Sequence, residues 1–235
     1  MNQTPETANK ATNQAIRGDV VSLLQRQLQR LDGTQPVSTE EVIGSGCDSL
    51  DGLLPMKGVR RGKLVEWLSA VGGGGVATLS LAWAQRIQAA GGSLVVLDRA
   101  QHFYPPAAAA LGIDLERLIV VRPSCQENEQ WAWQQVLQCQ SVAVAWGWVD
   151  QLDSRTFRRW QLAAESSGAI GFLLRPASVR GQPSWADVQF QVTPCPTNQG
   201  NGLDVELARC RGTAAGGKVT VDLTQMLNEG RRERA

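Results

Sequence analysis

The stretch KLVEWLSAVGGGGVATL, residues 63–79, decides how this chain is read. Lys63 to Leu68 is a short apolar run of strand length, Gly72 to Gly75 is an unbroken glycine turn, and Ala77 to Ala90 carries apolar residues at helical spacing before Gly91 and Gly92. A strand, a glycine-rich turn and a helix in that order bring backbone N–H groups and a helix N-terminus together around an anion. A working phosphate loop, G-x-x-x-x-G-K-[ST], adds a lysine that neutralises the outer phosphates and a hydroxyl that holds magnesium. The two positions after Gly75 are Val76 and Ala77. Valine offers neither charge nor donor, and alanine cannot ligate a metal. Shifting the register to use Thr78 as the hydroxyl still leaves Ala77 where the lysine belongs. Gly72, Gly73, Gly74, Gly75, Val76 and Ala77 therefore read as a phosphate loop in outline only, a turn whose glycines alone leave room for an anion.

Outward from this unit the chain alternates strand-like and helix-like segments, the pattern of a mostly parallel sheet covered by helices. Leu94 to Asp98, Leu118 to Arg122, Ser141 to Trp146 and Ala169 to Leu174 read as buried strands. Pro105 to Leu111, Glu127 to Cys139 and Asp153 to Ser167 read as helices, the last with Asp153 as cap and Gly168 beyond its end. From Val188 onward the period changes to two, in Val188, Phe190 and Val192, then Leu203, Val205 and Leu207, then Val219, Val221 and Leu223. These predict antiparallel edge strands, with Gly212, Gly216 and Gly217 in the last turn. Before the core, Ile16, Val20, Leu23, Leu24, Leu28 and Leu31 recur at helical spacing among Arg17, Arg26 and Arg30, so an amphipathic helix is expected there. The expected division is a polar lead-in over 1–15, that helix and its linker over 16–40, an α/β core over 41–224, and a polar tail over 225–235.

Composition narrows the function. With 23 Lys and Arg against 22 Asp and Glu, the formal charge of +1 gives no global field for nucleic acid. Five scattered cysteines and one histidine leave no metal-ligand set, so no metal or cofactor is expected, and the odd count without a C-x-x-C pair points to reduced thiols. No apolar run reaches membrane-spanning length, and Met1 to Arg17 lacks a signal-peptide core. Of the eight tryptophans, Trp83, Trp131, Trp133 and Trp160 fall in helical stretches and are expected to pack in the interior. Arg155, Arg158 and Arg159 cluster on one helix with Phe157 and Trp160, as a docking face, a phosphate contact or a solvated surface.

The run from Ile43 to Asp51 (IGSGCDSLD), Gly58 and the run from Arg61 to Glu66 (RGKLVE) resemble the RecA recombinase core, where the same order leads into the phosphate loop. Leu94 to Asp98 with His102, and the run from Leu111 to Pro123, continue the resemblance, which spans roughly Val42 to Val192. It implies a RecA-like core. It also implies two further losses: a water-activating glutamate is replaced just after Asp98 by Arg99, Ala100 and Gln101, and the magnesium-organising aspartate of a later strand by Trp146, Gly147 and Trp148. Asp150 is the one nearby carboxylate. A RecA-like core with a ruined phosphate loop and a shortened DNA-binding region is similar to the ImuA family.

That resemblance implies a non-catalytic accessory protein of translesion synthesis and the DNA-damage response, working at the nucleoid in the bacterial cytoplasm. Its implied partners are an ImuB-type, Y-family-like protein and an error-prone C-family polymerase, with RecA or a second copy as further candidates. Ile16, Val20, Leu24, Leu28 and Leu31 are the candidate partner-binding stripe. RecA-like proteins hold single-stranded DNA in loops after later core strands, and the matching residues are Arg175, Arg180 and Trp185. They give a rival reading, a nucleotide-independent protein with weak single-stranded DNA binding; the alternative label of the family as SulA-like adds a cell-division inhibitor.

Overall fold

The computed structural model describes residues 41–69, 75–197, 200–213 and 215–232. The body is an eight-stranded sheet made of β3 (Leu64–Ser69), β4 (Ser93–Leu97), β5 (Leu118–Val121), β6 (Val142–Trp148), β7 (Ile170–Pro176), β8 (Val188–Thr197), β9 (Gly200–Cys210) and β10 (Lys218–Asp222). Their spatial order is β10-β9-β8-β3-β7-β6-β4-β5. The run from β8 to β5 is parallel throughout, and β9 and β10 are added antiparallel. A separate antiparallel ladder joins β1 (Val42–Ile43) to β2 (Val59–Arg60). The helices are α1 (Asp48–Asp51), α2 (Val76–Ala89), α3 (Pro105–Ala110), α4 (Gln126–Leu137), α5 (Ser154–Ser167) and α6 (Leu223–Arg232). Among the described residues, no helix is long and apolar enough to cross a membrane.

Successive strand residues point to opposite faces, and both faces are covered. Val65 and Trp67 of β3 pack with Val76, Leu79, Trp83 and Ile87 of α2 in one cluster, and Leu64 packs with Trp133, Val136, Phe157 and Trp160 of α4 and α5 in the other. Aromatic rings fill both layers. Trp67 lies 4.9 Å from Phe190 and 5.7 Å from Phe172, and Trp133 stacks on Trp160 at 5.2 Å. Trp83, Trp133 and Trp160 are buried, and Trp131 is half-buried against the second layer, as helical spacing predicts.

Two expectations are corrected. β8 is not an edge strand: it pairs parallel with β3 on one side and antiparallel with β9 on the other, and only β10 ends the sheet there. Its period-two pattern reflects a strand bordered by an antiparallel partner, which alternation alone cannot distinguish from an edge. The polar tail expected from residue 225 is helical through Arg232. Asp222 accepts from the backbone N–H of Thr224 and Gln225 at 2.8 and 3.0 Å, and Leu223 and Met226 are buried, so a capped helix packs its first turn on the core.

A charged pair crosses the interior. Glu66 of β3 is fully buried, and Arg175 of β7 donates to its Oε1 at 2.7 Å. Ser184 Oγ and Gln189 Nε2 donate to Oε2 at 2.6 and 2.8 Å, and Arg175 Nε donates to the Val149 carbonyl at 3.3 Å. Arg175 also stands over the Phe157 ring at 5.8 Å. Removing one member of such a pair leaves an uncompensated charge in the interior. Arg175→Met is expected to cost roughly 3–5 kcal/mol in urea unfolding, and the double change Glu66→Leu, Arg175→Met distinctly less. A double variant at least as unstable as the single one contradicts this account.

At the start of α5, Asp153 accepts from the backbone N–H of Arg155 and Thr156 at 3.0 and 2.9 Å. Its bonds from Thr156 hold the carboxyl below the ordinary aspartate range. A depressed folded value means that the contribution is present above the unfolded value and is lost as pH falls through the folded one. Asp153→Ala is therefore expected to cost about 1 kcal/mol at neutral pH. The gap to the parent should close in acid, as followed by urea midpoints across a pH series.

Candidate functional site

Parallel strands present their ligand sites at their carboxyl ends. There the structure has an open cleft of about 750 Å³, between the ends of β4 and β6 on one side and α2 and α3 on the other. Ala77 and Thr78 of α2 line it, so the first turn of the helix that follows the glycines borders the cleft. Gly72, Gly73 and Gly74 lie outside the described residues. Gly75 is described, at φ +81°, where a β-carbon would stand 2.9 Å from Leu203 Cδ2 and 3.1 Å from Leu223 Cδ1. Val76, the first residue of α2, is 0% exposed and belongs to the same core cluster as Leu79, Leu203 and Leu223. The position just after the glycines thus points into packed hydrocarbon, while Ala77 borders the cleft.

The cleft floor is built by residues that answer to one another. Asp98, at the end of β4, accepts from the backbone N–H of His102 and Phe103 at 2.8 and 3.2 Å and from Arg122 Nε at 3.4 Å. It thereby folds the loop 99–104, in which Gln101 adopts the left-handed region at φ +57°. Arg99 reaches across the floor, donating to Glu129 Oε2 at 2.8 Å and to Asp150 Oδ2 at 3.4 Å. The bond to Glu129 raises the Arg99 guanidinium further above its ordinary value. Burial, the largest influence, holds the Glu129 carboxyl above the ordinary glutamate range against the pull of Arg99. Asp150 is thus engaged by Arg99. Among the described residues, no group of His, Cys, Asp and Glu could hold a metal ion.

Aromatic rings close the remaining side. Trp146 is buried, donates Nε1–H to Ser80 Oγ of α2 at 2.9 Å, and has its ring 6.0 Å from that of Phe103. Trp148 and the exposed Tyr104 stand at the mouth. This floor and wall can hold an apolar or aromatic group beside an ion-paired arginine. Among the described residues that line the cleft there is no lysine.

The residues expected to meet DNA do not converge. Arg175 is 3% exposed and spent on Glu66, so its assignment as a DNA contact is corrected: it is an interior ion-pair residue. Arg180 is exposed but forked onto Glu206, at 2.6 Å to Oε1 and 3.3 Å to Oε2. Trp185 lies against α5, donating Nε1–H to Ser154 Oγ at 3.0 Å with Arg158 4.7 Å above its ring. Ile16, Val20, Leu24, Leu28 and Leu31 lie outside the described residues. Sequence reasoning missed Glu129 and Glu66. Glu66 had a signal, a lone acid inside the apolar run LVEWL, matched by a lone arginine inside GFLLRP.

Comparison with known proteins places this geometry. Residues 14–152 match the family model described as the RecA N-terminal domain. Protein RecA of Clostridium acetobutylicum is 33% identical over 96 residues, 41% of this chain and 27% of that protein. Protein ImuA of Caulobacter vibrioides is 30% identical over 146 residues, 54% of this chain and 59% of that protein. The chain thus spans less than two thirds of either relative. The crystal structure of the RadB recombinase superimposes with a TM-score of 0.60 at 15% identity, covering 76% of this chain and 94% of that one, a likeness of fold. The match of sequence and the RecA-like sheet agree, and the chain belongs to the RecA N-terminal domain family, with ImuA proteins among its relatives.

Proposed function

We propose that this protein is a non-catalytic RecA-like accessory factor of the DNA-damage response, which acts in translesion synthesis by contacting other proteins. The single observation that carries the reading is Val76: the place of the phosphate-loop cation is a fully buried valine in the core. Three further features support it. Ala77 stands where a metal-binding hydroxyl belongs, Arg99 occupies the place of the water-activating glutamate, and Trp146 is turned toward α2 against Ser80. A triphosphate entering this cleft meets Glu129 and Asp150 with one arginine already shared between them. The relatives named RecA and ImuA supply the DNA-damage setting.

In this reading the partners are an ImuB-type, Y-family-like protein and an error-prone C-family polymerase, with RecA or a second copy as further candidates, and the working compartment is the bacterial cytoplasm at the nucleoid. The 16–31 stripe of Ile16, Val20, Leu24, Leu28 and Leu31 is one proposed contact. Direct binding of single-stranded DNA is weak, since Arg175 is interior and Arg180 is neutralised by Glu206.

Isothermal titration with ATP and magnesium tests the proposal. No saturable heat is expected into the millimolar range, and no phosphate release above buffer. Saturable micromolar binding with turnover overturns it. The exchange Val76→Lys, Ala77→Thr is expected to leave the chain without turnover while lowering its unfolding free energy by about 2 kcal/mol or more, because the lysine enters packed hydrocarbon.

A further inference from the structure

The outer face of α5 breaks two local rules at once. Its inner face, with Phe157, Trp160, Ala163 and Ala164, is buried in the layer beneath α4. Phe157 and Trp160 are therefore not available to a partner. What α5 presents outward is Arg155, Arg159 and Leu162, spaced at i, i+4 and i+7, with Leu162 47% exposed. Arg155 lies in the first turn, where the positive end of the helix dipole favours acids and disfavours cations. Arg155 and Arg159 are also like charges four residues apart, which weakens a helix further.

Nothing in the described chain offsets this. Among the described residues neither Arg155 nor Arg159 has a carboxylate partner. The one acid of α5, Glu165, faces Lys63 at 3.6 Å, and Asp153 is taken by the helix backbone. Arg158 is held in a fixed plane, stacked 4.7 Å over Trp185 and bonded to Gln161, while Trp185 is itself pinned to Ser154. Three guanidiniums within about one turn, roughly 6 Å of helix axis, are thus followed one turn later by a bare leucine. A local cost with no return among the described residues marks a surface whose return lies beyond them.

We infer that the outer face of α5, through Arg155, Arg158, Arg159 and Leu162, is the docking site for an acidic amphipathic segment of a partner protein. Two or three carboxylates of that segment would pair with the arginines, and an apolar side chain one turn away would cover Leu162. Charge complementarity alone would also suit a nucleic acid. Two observations favour a protein: a phosphate backbone has no complement for Leu162, and the Trp185 ring face that would stack a base is occupied by Arg158. The inference rests on the reading of this chain as a docking protein.

Selection from a random 16-residue phage-displayed peptide library on the full chain tests it, with the best binders resynthesised carrying fluorescein and measured by anisotropy. Enriched peptides should carry Asp or Glu three or four positions from Leu or Phe. The double change Arg155→Glu, Arg159→Glu should weaken them at least tenfold, and Leu162→Ala about threefold or more. Raising salt should weaken them as well. Because acids suit the first turn, the same double variant should hold or raise its urea midpoint, so binding and stability move in opposite directions. Peptides without acidic enrichment, peptides that bind the double variant unchanged, or a failure to enrich any binder overturn the inference. So does a 20-nucleotide single-stranded DNA that binds more tightly than the peptides and loses affinity in the double variant. Nucleotide titration is a separate measurement, so a chain that binds ATP and still needs Arg155 and Arg159 for its peptides would sink only the non-catalytic reading.

Discussion

Glu66 and Arg175 meet in the interior of the sheet, where neither charge can be rehydrated, and the central strands must be placed so that both are satisfied. Glu66 takes bonds from β7, from the 184 loop and from β8, and Arg175 reaches the carbonyl of Val149 beyond β6. Four consecutive pieces of the sheet and its connections therefore agree on one register. A slip of β3 by a single residue would turn Glu66 to the opposite face, among Trp67, Trp83 and Phe190, where no donor waits. A buried pair of this kind adds little net stability over hydrocarbon. Its effect here is to make one arrangement of β7, β3 and β8 far better than its neighbours.

That same demand disposes of Arg175 as a surface contact and shapes what the loop after β7 can do. Ser184 is drawn in to Glu66, and Trp185 then falls across the start of α5, where Arg158 covers it. The segment that follows β7 is consequently tied down between the interior pair and α5. At the carboxyl end of β4 a second set of charges does comparable work. Asp98 folds its own loop, and Arg99 links α4 to Asp150, so the carboxylates nearest the cleft are spent on protein partners.

Much of the architecture is legible from periodicity because the central strands are apolar on both faces and the helices between them end at glycine or begin at a cap. α2, α4 and α5 and strands β3 to β7 lie within two residues of where spacing puts them. β8 was harder to place, since an alternating strand looks the same at an edge or beside an antiparallel neighbour, and pairing is not written in one strand's own pattern. α6 was hidden by its charged end, although Asp222, Leu223, Met226 and Leu227 carry a cap and an i, i+3, i+4 stripe. That Val76 and Ala77 follow the glycines is visible in the letters. The bridge from Arg99 to Glu129 is not, because it joins residues thirty positions apart.

The last glycine of the turn has a packing duty of its own. Gly75 turns the chain at a positive φ, and the space that its side chain would need is filled by Leu203 of β9 and Leu223 of α6. Replacing it would strain the backbone and displace two core leucines, whether or not a phosphate ever visits the turn. The lysine that follows in a working loop has no such second duty, since its charge must stay free to meet a ligand. Here that position is in the interior, where Val76 is fully buried in one cluster with Leu79 and Leu223. Glycine at Gly75 is therefore evidence of a fold, and only the residue after it is evidence of a reaction.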